Sequence, residues 1–159
     1  MFKVKSDYTF KARIVCQGWS QRPGIDCGAT FAPVCRVESI RVLLAIATQF
    51  DWDVTMCDVR SAFLQSPIDQ PTFCKQADGY EVPGQSPGNP LVMKLKQAVY
   101  GLRTASRTWY NTLDKALKII GFEPTKSDPC FYLFTKENGY AILTIYVDDI
   151  LISSPTRYY

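Results

Sequence analysis

A chain of 159 residues fits one ordinary domain, and with 47% hydrophobic, 13% aromatic and 21% charged residues it has too much apolar material for a disordered chain. A net charge of +3 is too small to argue by itself for a nucleic-acid partner. Histidine is absent, which excludes the usual near-neutral general base, any Ser-His or Cys-His nucleophile pair and the commonest zinc ligand; carboxylates, Lys, Tyr or Cys must carry any chemistry.

The first periodic stretch runs from Tyr8 to Gln17, with Tyr8, Phe10, Ala12, Ile14 and Cys16 alternating against Thr9, Lys11, Arg13 and Gln17, which predicts a strand with one cationic face. Gly18, Pro23, Gly24, Gly28 and Pro33 then break the chain into a long loop. Ile40, Leu43, Leu44, Ala47 and Phe50, spaced by threes and fours after Glu38-Ser39, predict an amphipathic helix closing near Asp51. Trp52, Val54 and Met56 alternate with Asp53, Thr55 and Cys57, so a strand ends at Asp58, before the short Ser61–Leu64 stretch and the break at Pro67.

A short strand is predicted at Thr72–Gln76, a surface loop at Pro83, Gly84, Pro87, Gly88 and Pro90, and extended chain again at Leu91–Leu95. From Thr104 to Ile120, Trp109, Leu113, Ala116, Leu117 and Ile120 form a helical stripe, with Gly121 just past its end. Cys130–Thr135 and Tyr140–Val147, joined by Asn138-Gly139, read as a hairpin; Asp148-Asp149 then form a turn before the apolar run resumes at Ile150. Strand, helix, strand, helix and hairpin together predict an α+β fold, a mixed sheet covered on one face by two helices around a single core.

The six cysteines, at 16, 27, 35, 57, 74 and 130, contain no C-x-x-C pair, so reduced, partly buried thiols are expected rather than a metal site. No basic stretch followed by an apolar segment opens the sequence, so no secretion signal is expected, and the longest mainly apolar run, Tyr140–Ile152, falls short of the ~20 residues that span a bilayer. Charge is unevenly placed: residues 1–22 carry +4 and residues 94–118 carry +5, against −4 over 23–93 and −2 over 119–159. Two cationic segments flanking an anionic centre suit polyphosphate held around a carboxylate-bound cation, although solvated faces would look the same.

Asp148 and Asp149 interrupt the most hydrophobic stretch of the chain. Two ionised carboxylates there cost several kcal/mol unless a cation or hydrogen-bond donors neutralise them. The stretch around Asp148 and Asp149 contains no Lys or Arg partner, whereas three hard oxygen ligands suit Mg²⁺ or Mn²⁺. Two such ions roughly 3.5–4 Å apart stabilise attacking and leaving oxygens in phosphoryl or nucleotidyl transfer, chemistry that needs no histidine.

Several ordered motifs carry a resemblance: Lys11-Ala12-Arg13-Ile14-Val15 with Gln17-Gly18-Trp19-Ser20-Gln21; Gly24-Ile25-Asp26 before Thr30-Phe31-Ala32-Pro33-Val34; Glu38-Ser39-Ile40-Arg41; Asp58-Val59-Arg60-Ser61-Ala62-Phe63-Leu64; Tyr100-Gly101-Leu102-Arg103; and Tyr146-Val147-Asp148-Asp149. Over nearly its whole length the sequence resembles the reverse transcriptase region of copia-type retrotransposon polyproteins. The resemblance implies the fingers and palm of an RNA-directed DNA polymerase, with Asp58, Asp148 and Asp149 as catalytic, metal-binding carboxylates for two Mg²⁺ or Mn²⁺ ions. It further implies nucleotide-contacting roles for Lys11, Arg13, Gly101 and Arg103, a steric gate against the ribose 2′-hydroxyl at Phe63, and template-primer contacts at Tyr146 and Val147.

The implied partners are an RNA or DNA template with primer, deoxynucleoside triphosphates, and polyprotein regions outside this chain: thumb, ribonuclease H and integrase. The implied location is a cytoplasmic retrotransposon particle with later access to the nucleus, and no membrane. Thr104-Ala105-Ser106 stands where the family usually has Gln-Ala-Pro, and Cys27 and Ala29 replace its usual tyrosine and glutamate. The changed Thr104 and Ser106, with the short C-terminal end, motivate an alternative, a truncated or decayed remnant that at most binds nucleic acid.

Overall fold

A computed structural model describes residues 1–86, 88–136 and 139–155; the expected loop and turn residues Pro87 and Asn138 lie outside them. In chain order the elements are strands β1 (Phe2–Val4) and β2 (Phe10–Ala12), helix α1 (Val37–Gln49), strands β3 (Asp53–Asp58), β4 (Phe73–Lys75) and β5 (Val92–Lys94), helix α2 (Ala105–Ile120), and strands β6 (Phe122–Pro124), β7 (Phe131–Lys136), β8 (Gly139–Tyr146) and β9 (Asp149–Ser154). Single 3₁₀ turns occur at Gly18–Ser20 and Ala62–Gln65.

These elements form two compact units, where length alone pointed to one core. One combines Met1–Thr30 with Phe63–Trp109, the other Phe31–Ala62 with Tyr110–Tyr159. Each is assembled from two separated stretches of sequence, which neither composition nor periodicity reveals.

In the first unit β1 pairs antiparallel with β2 and β4 with β5. The strand expected over Tyr8–Gln17 is therefore only three residues long, because its partner β1 offers three residues of ladder, closed by reciprocal hydrogen bonds between Met1 and Arg13. Its apolar side is not core: Phe2 and Phe10 are each 89% exposed. The buried cluster of this unit is Ala98, Leu102 and Ala105, with Cys16, Phe63, Ile68, Leu95 and Val99 packed against it.

The second unit is built on a five-stranded sheet of order β3-β9-β8-β7-β6, every neighbour antiparallel. Central β8 buries Ile142 and Thr144 on one face and Leu143 and Ile145 on the other, as expected for a strand covered on both sides. Helix α1 packs against β8, β3 and β9 and buries Leu43 and Ala47. The α2 segment of this unit buries Leu113 and Leu117, and its Asp114 accepts a hydrogen bond from the hydroxyl of fully buried Tyr132 on β7 at 2.9 Å. Gly121 ends α2 with φ +112°, a left-handed backbone that glycine adopts without a Cβ penalty.

The N-terminus of α1 is capped from a distance. Arg36, its N-cap, has no side-chain cap of its own. Instead Asp128, only 2% exposed, accepts the Arg36 backbone N–H at 2.9 Å, the Ser39 hydroxyl at 2.6 Å and the Cys130 N–H at 2.9 Å. The carboxylate also sits at the positive end of the helix dipole.

Candidate functional site

The three aspartates singled out in the sequence all lie in the second unit. Register pairs Asp58 with Asp149 across β3 and β9, and Asp149 with Tyr146 across β9 and β8. Directly opposed residues of an antiparallel pair have Cα atoms about 4.5–5.5 Å apart and side chains on one face. Asp58, Asp149 and Tyr146 thus share one face at one end of the sheet. The Val59 N–H donates to the Asp148 carbonyl at 3.1 Å, which ties the turn to the end of β3.

The turn falls one residue earlier than expected. Its two residues are Val147 and Asp148, while Asp149 is already the first residue of β9, held in the ladder by Tyr146 and Asp58. Val147 makes this possible by adopting φ +59°, a left-handed conformation that is strained for a β-branched side chain. Of the two neighbouring carboxylates, Asp148 therefore projects from a turn and Asp149 from a strand. Tyr146 is exposed, not filling a pocket.

Like charges directly opposed on a sheet repel, so Asp58 beside Asp149 is an arrangement that a bound cation would relieve. The donor set is all oxygen, as a hard divalent ion prefers, and Mg²⁺ commonly takes one or two carboxylates with substrate phosphates and water completing its shell. Among the described residues no three His, Cys, Asp or Glu side chains are gathered so as to hold a metal ion by themselves. Backbone register therefore brings Asp58, Asp148 and Asp149 to one end of the sheet, without a preformed three-carboxylate cage.

The remaining predicted residues lie in the first unit, where Arg13, Phe63 and Gly101 gather at Tyr100, a residue the sequence offered only as part of a motif and without a role of its own. The Arg13 guanidinium lies over the Tyr100 ring at 5.2 Å, and the Phe63 ring meets it edge-on with centroids 5.0 Å apart. Next to it, Gly101 sits at φ +88°, and a Cβ there would collide with the Cys16 carbonyl oxygen; a Cβ on Gly18 would collide in turn with the Gly101 carbonyl. Two backbones cross at this point, tied by the Cys16 N–H donating to the Tyr100 carbonyl at 2.8 Å. The glycines in Gln17-Gly18 and Tyr100-Gly101 were the sequence signal for that crossing.

Arg103 belongs to the same crossing. Its Nε donates to the Gly18 carbonyl at 2.8 Å and its guanidinium to the Trp19 carbonyl at 3.3 Å, while its backbone N–H reaches the Gln21 side chain at 3.0 Å. In this arrangement Arg103 positions the Gly18–Gln21 segment. Lys11, on β2, faces Lys3 of β1 directly, concentrating positive charge on that side of the hairpin.

The chain belongs to the family described as reverse transcriptase (RNA-dependent DNA polymerase), whose sequence profile matches residues 1–157. Its relatives are copia-type retrotransposon polyproteins. It is 39% identical over 96% of its length to the retrovirus-related Pol polyprotein from transposon TNT 1-94 of Nicotiana tabacum, and 38% identical over 91% to that from transposon RE1 of Arabidopsis thaliana. It is 26% identical over 97% of its length to the transposon Ty1-MR1 Gag-Pol polyprotein of Saccharomyces cerevisiae. The chain spans 12%, 10% and 8% of those relatives' lengths, respectively. No solved structure matches it.

Proposed function

We propose that this chain is the fingers and palm portion of a copia-type reverse transcriptase, an RNA-directed DNA polymerase that extends a primer 3′-hydroxyl with deoxynucleoside triphosphates on an RNA or DNA template. The observation that carries this reading is the register of Asp58 with Asp149 beside the Val147-Asp148 turn. In this reading Asp58 and Asp148 are the principal ligands of two Mg²⁺ or Mn²⁺ ions, and Asp149 supports them electrostatically. When bound, such ions supply charge neutralisation at the polyphosphate and a lowered pKa for the attacking hydroxyl.

The chain's own residues bind and orient the substrates. Lys11 and Arg13 meet the triphosphate, Phe63 excludes a ribose 2′-hydroxyl, and Tyr146 and Val147 lie against the template-primer end. Gly101 and Arg103 act through the backbone crossing that holds Tyr100, and with it Arg13 and Phe63, in place. Thumb, ribonuclease H and integrase functions belong to other parts of the polyprotein, which the reading puts in a cytoplasmic particle with later nuclear access.

Primer extension with Mg²⁺ tests the proposal. Extension by the parent chain, reduced at least 100-fold in Asp58→Asn and Asp148→Asn, is the expected result; parent-level extension by either variant would overturn the metal-ligand assignment. Thr104 and Ser106 favour a second reading, a remnant that binds template-primer without extending it. Retained binding with no extension by the parent chain selects that reading.

A further inference from the structure

The Cys16 and Cys74 sulfurs lie 3.0 Å apart in the first unit, both thiols free and half-buried, from residues 58 positions apart in sequence. The remaining cysteines are placed differently. Cys57 is exposed, Cys27 is buried, and Cys35 directs its thiol at the Asp128 carboxylate at 3.7 Å, with Cys130 also buried beside that carboxylate. The first pair is the one whose sulfurs are already in contact, and a bond length of about 2.0 Å requires them to approach by only about 1 Å more.

We propose that Cys16 and Cys74 are a modification site, forming an intramolecular disulfide when the folded chain meets a peroxide. The step balances as two thiols and one hydrogen peroxide giving one disulfide and two waters. One of the two sulfurs, as its thiolate, attacks the peroxide, breaking the O–O bond to give a sulfenic acid and a hydroxide that takes up the proton the thiol lost, the first water; the other sulfur then attacks the sulfenic sulfur, forming the S–S bond as the sulfenic oxygen leaves with that second thiol's proton as the second water. Burial, reinforced by hydrogen bonding and charge from Cys74, pushes the Cys16 thiol up to about 12.

The location gives the bond a structural consequence. Cys16 lies at the backbone crossing with Tyr100 and Gly101, and Cys74 on β4 faces Met93 of β5. A disulfide would fasten the β4–β5 hairpin to the segment that holds Tyr100. This inference is independent of whether the chain polymerises DNA.

The test is chemical. The folded chain is treated with dilute hydrogen peroxide, quenched with catalase, denatured, alkylated with N-ethylmaleimide and digested without reduction. The expected result is a peptide pair joined through Cys16 and Cys74, lighter by two hydrogens and separated by dithiothreitol, with the other four cysteines alkylated. In Cys74→Ser, Cys16 should remain alkylated after the same treatment. Both Cys16 and Cys74 recovered fully alkylated from peroxide-treated parent chain, or the same linkage forming equally in urea as one of many scrambled pairs, would overturn the proposal.

Discussion

Replacing Asp128 by Ala removes the remote cap of α1 and leaves three of its hydrogen-bond donors, the Arg36 N–H, Ser39 hydroxyl and Cys130 N–H, without their acceptor. A lost N-cap costs about 0.5–2 kcal/mol, and each hydrogen bond to a charged group about 1.5–3 kcal/mol, although bonds sharing one carboxylate do not add fully. At 2% exposure little water is available to take over, so a loss of roughly 3–5 kcal/mol is expected. At about 2–4 °C per kcal/mol for a chain of this size, the melting temperature should fall by roughly 6–20 °C. Asp128→Asn, which keeps the shape and one carbonyl acceptor, should lose about half as much.

The pH dependence gives a second readout. Burial opposes ionisation of Asp128, but hydrogen bonds from Ser39, Arg36, Cys130 and Cys35 outweigh it and hold the carboxyl below its ordinary value of 3.8. A folded-state pKa below the unfolded one stabilises the fold fully above the unfolded value, and that stabilisation is lost as pH falls through the folded one. The gap between parent and Asp128→Ala melts, followed by circular dichroism, should therefore be wide at pH 7 and narrow steadily below about pH 4. A variant melting within 2 °C of the parent at pH 7, or a gap unchanged on acidification, would refute the capping role.

Two further substitutions probe the candidate site. Phe63→Ala should raise ribonucleotide relative to deoxynucleotide incorporation at least tenfold in primer extension; an unchanged ratio would sink the steric-gate assignment, and the ratio is insensitive to stability lost where Phe63 packs on Tyr100. Val147→Gly removes a β-branched residue from φ +59°, and relief of about 1–3 kcal/mol of strain, offset by about 0.5–1 kcal/mol of glycine entropy, predicts a fold stabilised by roughly 1 kcal/mol in urea melts. Destabilisation by that amount would mean the Val147 side chain contributes more through its contacts than its backbone costs.

Much was legible in the sequence because it depends on near neighbours. The threes-and-fours spacing from Ile40 to Phe50 and from Trp109 to Ile120 gave α1 and α2, since a helix closes its hydrogen bonds within four positions, although α1 begins three residues before its first spaced apolar residue, at Val37. Alternation gave β3, the Asn138-Gly139 signal between apolar runs gave β7 and β8, the resumed apolar run gave β9, and the Asp148-Asp149 break marked the turn between β8 and β9 to within one residue. The register of that turn was not legible, because it depends on Val147 accepting a left-handed backbone that its side chain disfavours. The Tyr8–Gln17 alternation overstated its strand because ladder length is set by the partner, and β1 is three residues long.

What the sequence by itself determined was the family, both helices and most of the strands, all of which rest on local periodicity or on residue types in order, and it singled out the aspartates as candidates. Only the tertiary structure decided that the chain builds two units from interleaved segments, that Asp58 stands opposite Asp149, that Tyr100 gathers Arg13 and Phe63, and that Asp128 caps a helix about ninety residues upstream. Each of these is a contact between residues far apart in the chain, formed because buried backbone and carboxylate groups must find partners wherever the packed fold supplies them.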